Sequence, residues 1–95
     1  LKDYEKLYYN HWWWRARESV VIETIKKFTK LNRLPQILDV GCGNGLLFPK
    51  LSEIGLVEGV EPCAELVTPE GRARGAIFVG DFLEYSTDKK YDWLL

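Results

Sequence analysis

The sequence predicts an α/β fold in which helices connect the strands of a parallel sheet. Short apolar segments of strand length alternate with segments of helical periodicity, and glycines or prolines separate most of them. The segment GCGNG, residues 41–45, places three glycines directly after one of the apolar segments. The order strand, helix, strand, helix, strand is typical of a parallel sheet in an α/β protein.

The composition is that of a soluble globular domain. Hydrophobic residues make up 46% of the chain, and 13 basic and 14 acidic residues leave a formal net charge of −1. This charge gives no electrostatic basis for binding nucleic acid or a membrane surface. The sequence shows neither an apolar run of membrane-spanning length nor a signal peptide. Cys42 and Cys63 are far from any Cys-x-x-Cys spacing, so we expect reduced thiols in a cytoplasmic protein and no metal site.

A helix is predicted over about residues 11–31. Val21, Ile25 and Phe28 recur at the i, i+4, i+7 spacing of one helical face, and Pro35 follows as a helix breaker. A shorter helix is possible over residues 3–9. The longer helix is the most regular pattern in the chain.

Three consecutive tryptophans, Trp12, Trp13 and Trp14, lie near the start of this helix. Because a helix turns by about 100° per residue, three neighbouring side chains fan across roughly 200° of its surface. One core can bury one or two of these rings. The remaining ring either packs against other protein or faces a ligand cleft, and both interpretations stay open.

Four short apolar segments are predicted as strands. They are ILDV at 37–40, LVEGVE at 56–61, AIFV at 76–79 and YDWLL at 91–95. Between them, residues 46–54 are predicted as a helix closed by Gly55, and residues 63–67 as a helix that Pro69 cuts short. Because the first strand is almost wholly apolar, we expect it to be buried on both faces.

The glycine turn, residues 41–45, is the main chemical signal. A strand that runs into glycines and then a helix lets the backbone approach a ligand closely. Glu61 ends the next strand about 20 residues after Gly41, where a carboxylate can accept hydrogen bonds from ribose hydroxyls. The dinucleotide pattern G-x-G-x-x-G fails at Leu46, which occupies its last position. Asp39 adds negative charge that opposes pyrophosphate and suits a ligand with an ammonium and a sulfonium group.

These motifs resemble those of the class I S-adenosylmethionine-dependent methyltransferases, in particular the small-molecule type. ILDVGCGNG is similar to the first motif of that family, GVEP to the second, GDFLEY to the third and YDWLL to the start of the fourth. The resemblance covers nearly the whole chain. It implies a Rossmann-like three-layer sandwich with a parallel sheet of strand order 3-2-1-4, incomplete at the C-terminal side. Residues 1–34 would form an N-terminal helical segment and residues 35–95 the core of the cofactor-binding part.

The resemblance also implies how the methionine half of S-adenosylmethionine is held. Gly41 and Gly43 would contact it through the main chain, and Asp39 would lie near its amino group. A helix that starts near Leu46 would point its positive end toward the cofactor carboxylate.

For the nucleoside half, the resemblance implies that Glu61 binds the ribose hydroxyls. Asp81 would accept a hydrogen bond from the adenine amino group, and the backbone of Phe82 would meet a ring nitrogen. A helix before the first strand often lies across the cofactor cleft in this family, so Arg15 is a candidate either for the cofactor carboxylate or for a surface ion pair. His11 is interpreted as a capping or packing residue.

The function that the resemblance implies is transfer of a methyl group to a small-molecule acceptor by in-line displacement, leaving S-adenosylhomocysteine. No catalytic residue is assigned, because acceptor-binding and proton-abstracting residues of the family commonly follow the fourth strand. Two alternatives stay open. One is a cofactor-binding fragment or sensor without catalysis of its own, and the other is a nicotinamide-dependent oxidoreductase.

The chain contains no methionine and ends within the apolar segment YDWLL, so we expect it to be a piece of a longer protein, inactive by itself. Right-handed crossovers place the helices after strands 1 and 2 on one face of the sheet. The link LEYSTDKK, residues 83–90, is too short and polar to be a covering helix, so the opposite face would lie bare and strand 4 would be an open edge. We therefore expect self-association of a chain of 95 residues.

Overall fold

A computed structural model describes residues 12–30, 32–85 and 88–95 of the chain. The contacts divide the chain into two compact units, Leu1–Lys30 and Leu31–Leu95. Within the described ranges, no helix is both long enough and apolar enough to cross a membrane.

In the first unit the predicted helix forms as α1, Trp12–Phe28. It ends at Phe28, before the predicted boundary at Leu31. Ile25 is fully buried, whereas Val20 and Phe28 are exposed. The buried face of α1 is therefore narrower than the apolar periodicity predicted. The exposed Phe28 ring instead lies near a cation, since its centre is 5.4 Å from the Lys27 ammonium.

Several predictions for the N-terminal region lie outside what the structure describes. These are the short helix over residues 3–9, the role of His11, and the packing of the side chains of Trp12, Trp13 and Trp14. The backbone of the three tryptophans is helical, as predicted. Arg15 has an exposed side chain.

The second unit contains one parallel sheet in the order β3-β2-β1-β4. Its strands are β1 (Gln36–Val40), β2 (Leu56–Glu61), β3 (Ala76–Val79) and β4 (Trp93–Leu94). The predicted fold class and strand order are confirmed, and the bounds of β2 and β3 are those predicted. Ile37 and Leu38, neighbours in β1, are both buried, which confirms that this strand is covered on both faces.

The connection between β1 and β2 carries a shorter helix than predicted. Only α2, Phe48–Leu51, is helical, and turns replace the rest of the predicted helix over 46–54. Pro49 lies at the first positions of α2, where its missing N–H leaves no hydrogen bond unmade. Phe48 and Leu51 are fully buried, so tertiary packing rather than length holds this helix.

The connection between β2 and β3 corrects the prediction for Pro69. This residue begins helix α3, Pro69–Arg74, instead of ending one, and Ala64–Leu66 before it form a 3-10 turn. Thr68 is the N-cap of α3, and its side-chain oxygen accepts the N–H of Gly71 at 3.4 Å. A proline after a capping threonine favours a helix start, because the first helical N–H has no partner within the helix.

One face of the sheet carries a hydrophobic cluster. Phe48 packs with Cys42 and Ile77, surrounded by the partly buried Val57, Val67 and Val79. Gly59 of β2 makes this packing possible. A Cβ at Gly59 would meet the Cys42 Sγ and would lie 2.7 Å from the Phe48 Cζ. The aromatic ring and the thiol therefore lie directly against the backbone of β2.

The opposite face of the sheet is less bare than predicted. Leu38 and Val60, which the strand register places on this face, are 1% and 0% exposed. Residues 80–85 and 88–92 of the link between β3 and β4 form no long helix, but side chains of the link reach the sheet. The Tyr91 hydroxyl donates to the Glu58 Oε1 at 2.7 Å, and the hydroxyls of Tyr85 and Tyr91 are 2.7 Å apart. Two large apolar side chains of this face stay partly exposed, Phe78 and Leu94.

An ion pair joins the segments that precede β1 and β4. The Arg33 guanidinium donates to both carboxylate oxygens of Asp92, at 2.9 and 3.2 Å, and the N–H of Gln36 donates to Asp92 at 2.7 Å. The bond from Arg33, followed by the bond from Gln36, holds the pKa of Asp92 below its ordinary value. These bonds fix β4, which has only two residues, beside β1 at the edge of the sheet.

Gly59→Ala should lower the free energy of unfolding by about 1–3 kcal/mol, because the added methyl group overpacks the contact of β2 with Phe48 and Cys42. Chemical denaturation of the intact protein measures this loss. Adding Cys42→Ala should recover part of it, since the Sγ that meets the new methyl group is then gone. The control is Leu83→Ala at a highly exposed position, which should stay within about 0.5 kcal/mol. Equal stability of Gly59→Ala and the unaltered protein would contradict this packing.

Asp92→Asn should make the stability less sensitive to acid. Because the pKa of Asp92 is lowered in the folded state, its contribution is present above the ordinary aspartate pKa of about 3.9 and is lost as the pH falls through the lower folded value. Urea unfolding at a series of pH values below neutrality measures this. The unaltered protein should lose stability more steeply than the variant on acidification, and parallel curves would refute the assignment.

Candidate functional site

The carboxyl ends of β1, β2 and β3 bring the predicted site residues to one edge of the sheet. Strand β1 runs into the glycine turn, β2 ends in Glu61, and β3 is followed by Gly80 and Asp81. Ligands of open α/β sheets bind at this edge, where the strand order reverses. Here the reversal lies at β1, since β2 is on one side of it and β4 on the other.

The glycine turn has a backbone that favours glycine at three positions. Gly41, Gly43 and Gly45 have φ angles of 73°, 58° and 69°, in the left-handed region that other residues adopt only at a cost. A Cβ at Gly41 would meet no atom of the described chain within 4 Å. The left-handed φ angle of Gly41, and not crowding by neighbouring atoms, therefore explains why this residue is glycine. Because it has no side chain, its main chain is open to a ligand.

Glu61 holds the glycine turn against the end of β2. Its side chain is buried, with 5% exposed. One carboxylate oxygen accepts the N–H of Gly43 at 2.8 Å, and the other accepts the N–H of Cys63 at 2.9 Å. Such charge-assisted bonds offset the loss of water around a buried carboxylate. A carboxylate has about four acceptor positions, so two are left for donors from a ligand.

Asp39 and Glu61 make the surroundings of the turn negative. Burial raises the pKa of the Cys42 thiol to about 12, and the charges of Asp39 and Glu61 add to this shift. Because the thiolate is disfavoured, Cys42 is a packing residue and not a nucleophile. Desolvation, the largest cause of the shift in the Cys42 pKa, disfavours any charge at the thiol, and the two carboxylates add negative charge near it.

Asp81 and Phe82 lie after the end of β3. The Asp81 carboxylate accepts the N–H of Leu83 at 3.0 Å and caps the 3-10 turn Phe82–Glu84. Asp81 and Phe82 are both exposed. Capping explains why an aspartate follows this strand, and the roles predicted for the two residues toward adenine stay predictions.

The motifs in the sequence do not identify the residues that join the turn to the connection after β2. Asn44, inside the turn, is buried. Its side chain exchanges hydrogen bonds with Thr68, and its carbonyl oxygen accepts a bond from Arg74 at 2.7 Å. Gly71 leaves room for this contact, because a Cβ there would collide with the Asn44 Oδ1. The available signal was Thr68 followed by proline, which is typical of a helix cap.

The helix predicted to start near Leu46 begins later and is shorter, and the role predicted for its positive end toward a carboxylate stays a prediction. Leu46 is a buried turn residue, and α2 begins at Phe48 and has only four residues. A helix of one turn carries too small a dipole to bind an anion by itself. The main chain and the side chains around the glycine turn are therefore the features of this edge that can contact a ligand.

A cavity of about 640 Å³ lies at the opposite edge of the sheet, where the strands begin. Its lining includes Leu34, Gln36, Leu56, Ala76, Lys89 and Lys90. None of the predicted site residues belongs to it. The candidate site is defined by the carboxyl edge and not by this cavity.

The sequence matches no protein-family model and no curated protein sequence. Several solved structures nevertheless have a similar fold. CalS10, an amino pentose methyltransferase from Micromonospora echinaspora, superposes with a TM-score of 0.75 at 22% identity, covering 99% of this chain and 41% of its own. DesVI from Streptomyces venezuelae gives 0.66 at 20% identity, covering 83% and 34%. A TehB-like SAM-dependent methyltransferase from Corynebacterium glutamicum gives 0.58 at 25% identity, covering 77% and 41%.

The chain therefore has a Rossmann-like α/β fold with helices beside a parallel sheet. More particularly, it has the fold type of the N-terminal portion of the class I S-adenosylmethionine-dependent methyltransferases, which the motifs predicted. It spans between 34% and 41% of the length of the three solved structures named above.

The two cysteines should differ in reactivity. Cys42 is buried with its pKa raised to about 12, whereas Cys63 is exposed. Iodoacetamide at a pH near 8 should therefore modify Cys63 in the folded protein and leave Cys42 unmodified. Peptide mapping by mass spectrometry identifies the labelled thiol, and urea-unfolded protein should be labelled at both. Equal labelling rates in the folded protein would contradict the described burial of Cys42.

Proposed function

We propose that the chain is the cofactor-binding part of an S-adenosylmethionine-dependent methyltransferase that acts on a small molecule. The observation that carries the proposal is the carboxyl edge of the sheet, where bare main chain at Gly41 stands beside the carboxylates of Asp39 and Glu61. The likeness to CalS10, whose structure was solved with SAM bound, supports it. So does the likeness to the plantazolicin methyltransferase BpumL, solved with SAH.

The residues at this edge fit that cofactor. Gly41 leaves room for a ligand where a Cβ would stand, and Glu61 keeps acceptor positions for two ribose hydroxyls. The negative charge of Asp39 suits an ammonium or a sulfonium group. Asp81 and Phe82, after β3, would hold the adenine. When bound, S-adenosylmethionine supplies a methyl group on a positively charged sulfur for transfer to a nucleophilic atom of the acceptor.

The same edge disfavours a nicotinamide dinucleotide. A pyrophosphate is bound where backbone N–H groups at a helix start face a site without opposing charge. Here Asp39 adds negative charge beside the turn, and Leu46 is buried at the place of the third glycine. Helix α2, with one turn, adds no anion site.

In the proposed reaction this chain binds and orients the cofactor. In-line displacement depends on positioning, which the glycine turn and Glu61 would provide. We assign no proton-accepting residue.

The finer proposals are that the protein is cytoplasmic, with Cys42 and Cys63 as free thiols, and that it binds no nucleic acid. We also propose that a chain of 95 residues self-associates through the β4 edge, where Leu94 is exposed.

Calorimetric titration of S-adenosylhomocysteine into the intact protein tests this proposal. We expect binding of this ligand and none of NAD. Glu61→Gln should weaken the binding about 10-fold or more, since a charge-assisted acceptor is worth about 1.5–3 kcal/mol. The substitution keeps the size of the side chain but removes its charge and leaves one acceptor oxygen for two N–H groups.

Glu58→Gln is the matched control for this experiment. It makes the same change in the same strand, but on the opposite face, where Glu58 accepts bonds from Tyr91 and Lys89. We expect it to leave the affinity for S-adenosylhomocysteine unchanged. Binding of NAD in preference to S-adenosylhomocysteine, or no binding of the latter, would rule out the proposed function. Equal affinity of Glu61→Gln and the unaltered protein would rule out the role of Glu61.

A further inference from the structure

Asn44 connects the glycine turn to the segment that follows β2. Its Nδ2 donates to the Thr68 Oγ1 at 2.9 Å, and its Oδ1 accepts the backbone N–H of Thr68 at 2.9 Å. An asparagine side chain offers one acceptor oxygen and one donor nitrogen. Both are used on the same residue across 24 positions of sequence, and Asn44 is only 4% exposed.

The Thr68 hydroxyl is shared between the glycine turn and the start of α3, where it also bonds the Glu70 carboxylate. A hydroxyl has one proton to donate and two acceptor positions. The Thr68 Oγ1 donates to the Asn44 Oδ1 at 3.2 Å, and it accepts from the Asn44 Nδ2 at 2.9 Å and from the N–H of Gly71 at 3.4 Å. The start of α3 and the glycine turn are therefore held by the same oxygen atom.

The main chain of the turn is held from the other end of α3. The Arg74 guanidinium donates to the carbonyl oxygen of Asn44 at 2.7 Å. Gly71, between the two contacts, must be glycine because a Cβ would collide with the Asn44 Oδ1. Contacts from both ends of one short helix thus hold Asn44, which lies between Gly43 and Gly45, by its side chain and by its carbonyl oxygen.

A turn with three glycines has many conformations open to it unless other groups restrict it. Ligands bind more tightly to a site that is already ordered, because the conformational entropy of the site is then lost during folding and does not reduce the free energy of binding. We propose that Asn44, Thr68 and Arg74 form a clamp that orders the glycine turn for the cofactor, and that they are positioning residues of the site. This inference rests on the proposed function.

Thr68→Val in the intact protein tests the clamp. Valine keeps the shape and the backbone N–H of threonine and removes every hydrogen bond of the hydroxyl, including the one to Glu70. We expect faster hydrogen exchange in peptides covering residues 41–45 of the ligand-free protein, with unchanged exchange in β2. We also expect about 10-fold weaker binding of S-adenosylhomocysteine by calorimetry, well below the unfolding temperature. Thr68→Ser restores the hydroxyl and should return both values to within about 2-fold of the unaltered protein.

Two further comparisons separate positioning from general loss of stability. Arg74→Met should weaken binding, whereas Arg72→Met should not, because the contact of Arg72 is to the carbonyl oxygen of Ile77, outside the turn. Asp92→Asn removes an ion pair at the far edge of the sheet. We expect it to lower stability without changing exchange in the turn or affinity for the ligand.

The outcomes that overturn the clamp differ from those that overturn the proposed function. Unchanged exchange in the turn of Thr68→Val, or faster exchange with unchanged affinity, would overturn the clamp alone. An equal loss of affinity in Asp92→Asn would also overturn the clamp, because a general loss of stability would then account for the weaker binding of S-adenosylhomocysteine. Failure of the unaltered protein to bind S-adenosylhomocysteine would overturn the proposed function, and the positioning role with it.

Discussion

The buried carboxylate of Glu61 is the interaction on which the candidate site depends. It accepts the N–H of Gly43 from the turn after β1 and the N–H of Cys63 from the connection after β2. A buried carboxylate without these donors would lose its water with nothing in exchange. The turn and the strand end must therefore form together. A residue predicted for its affinity toward a ribose is thus also the residue that gives the turn its place in the fold.

The position of that carboxylate depends in turn on how closely β2 approaches its neighbours. Gly59 lets Phe48 and Cys42 lie against the backbone of β2, two residues before Glu61. Cys42 is also the second residue of the glycine turn, and its N–H donates to the carbonyl oxygen of Val60 at 3.1 Å. The core and the site therefore share residues, and a change in the packing under β2 changes the geometry of the turn.

The fold was predictable because it depends on patterns that are local in sequence. The strands β2 and β3 are bounded by glycines and prolines, and the motifs along the chain resemble those of a family whose strand order is 3-2-1-4, the order that the sheet has. The exact helices were not predictable. Pro69 is compatible both with ending one helix and with starting another, and the bond that the Gly71 N–H donates to the Thr68 Oγ1 favours the start. The sequence also underestimated the contacts on the sheet face opposite Phe48. Tyr91, in the polar link between β3 and β4, donates a hydrogen bond to Glu58 of β2 on that face.

Side chains bind backbone groups at both ends of the strands. At the amino edge, Asp92 forms an ion pair with Arg33 and accepts the N–H of Gln36. At the carboxyl edge, side chains bind backbone groups of the turn, as Glu61 does at Gly43 and Arg74 does at Asn44. Bonds to the backbone restrict φ and ψ directly, which a pair of exposed side chains cannot do. A loop of three glycines can therefore be ordered without the bulky side chains that would fill the space in front of it.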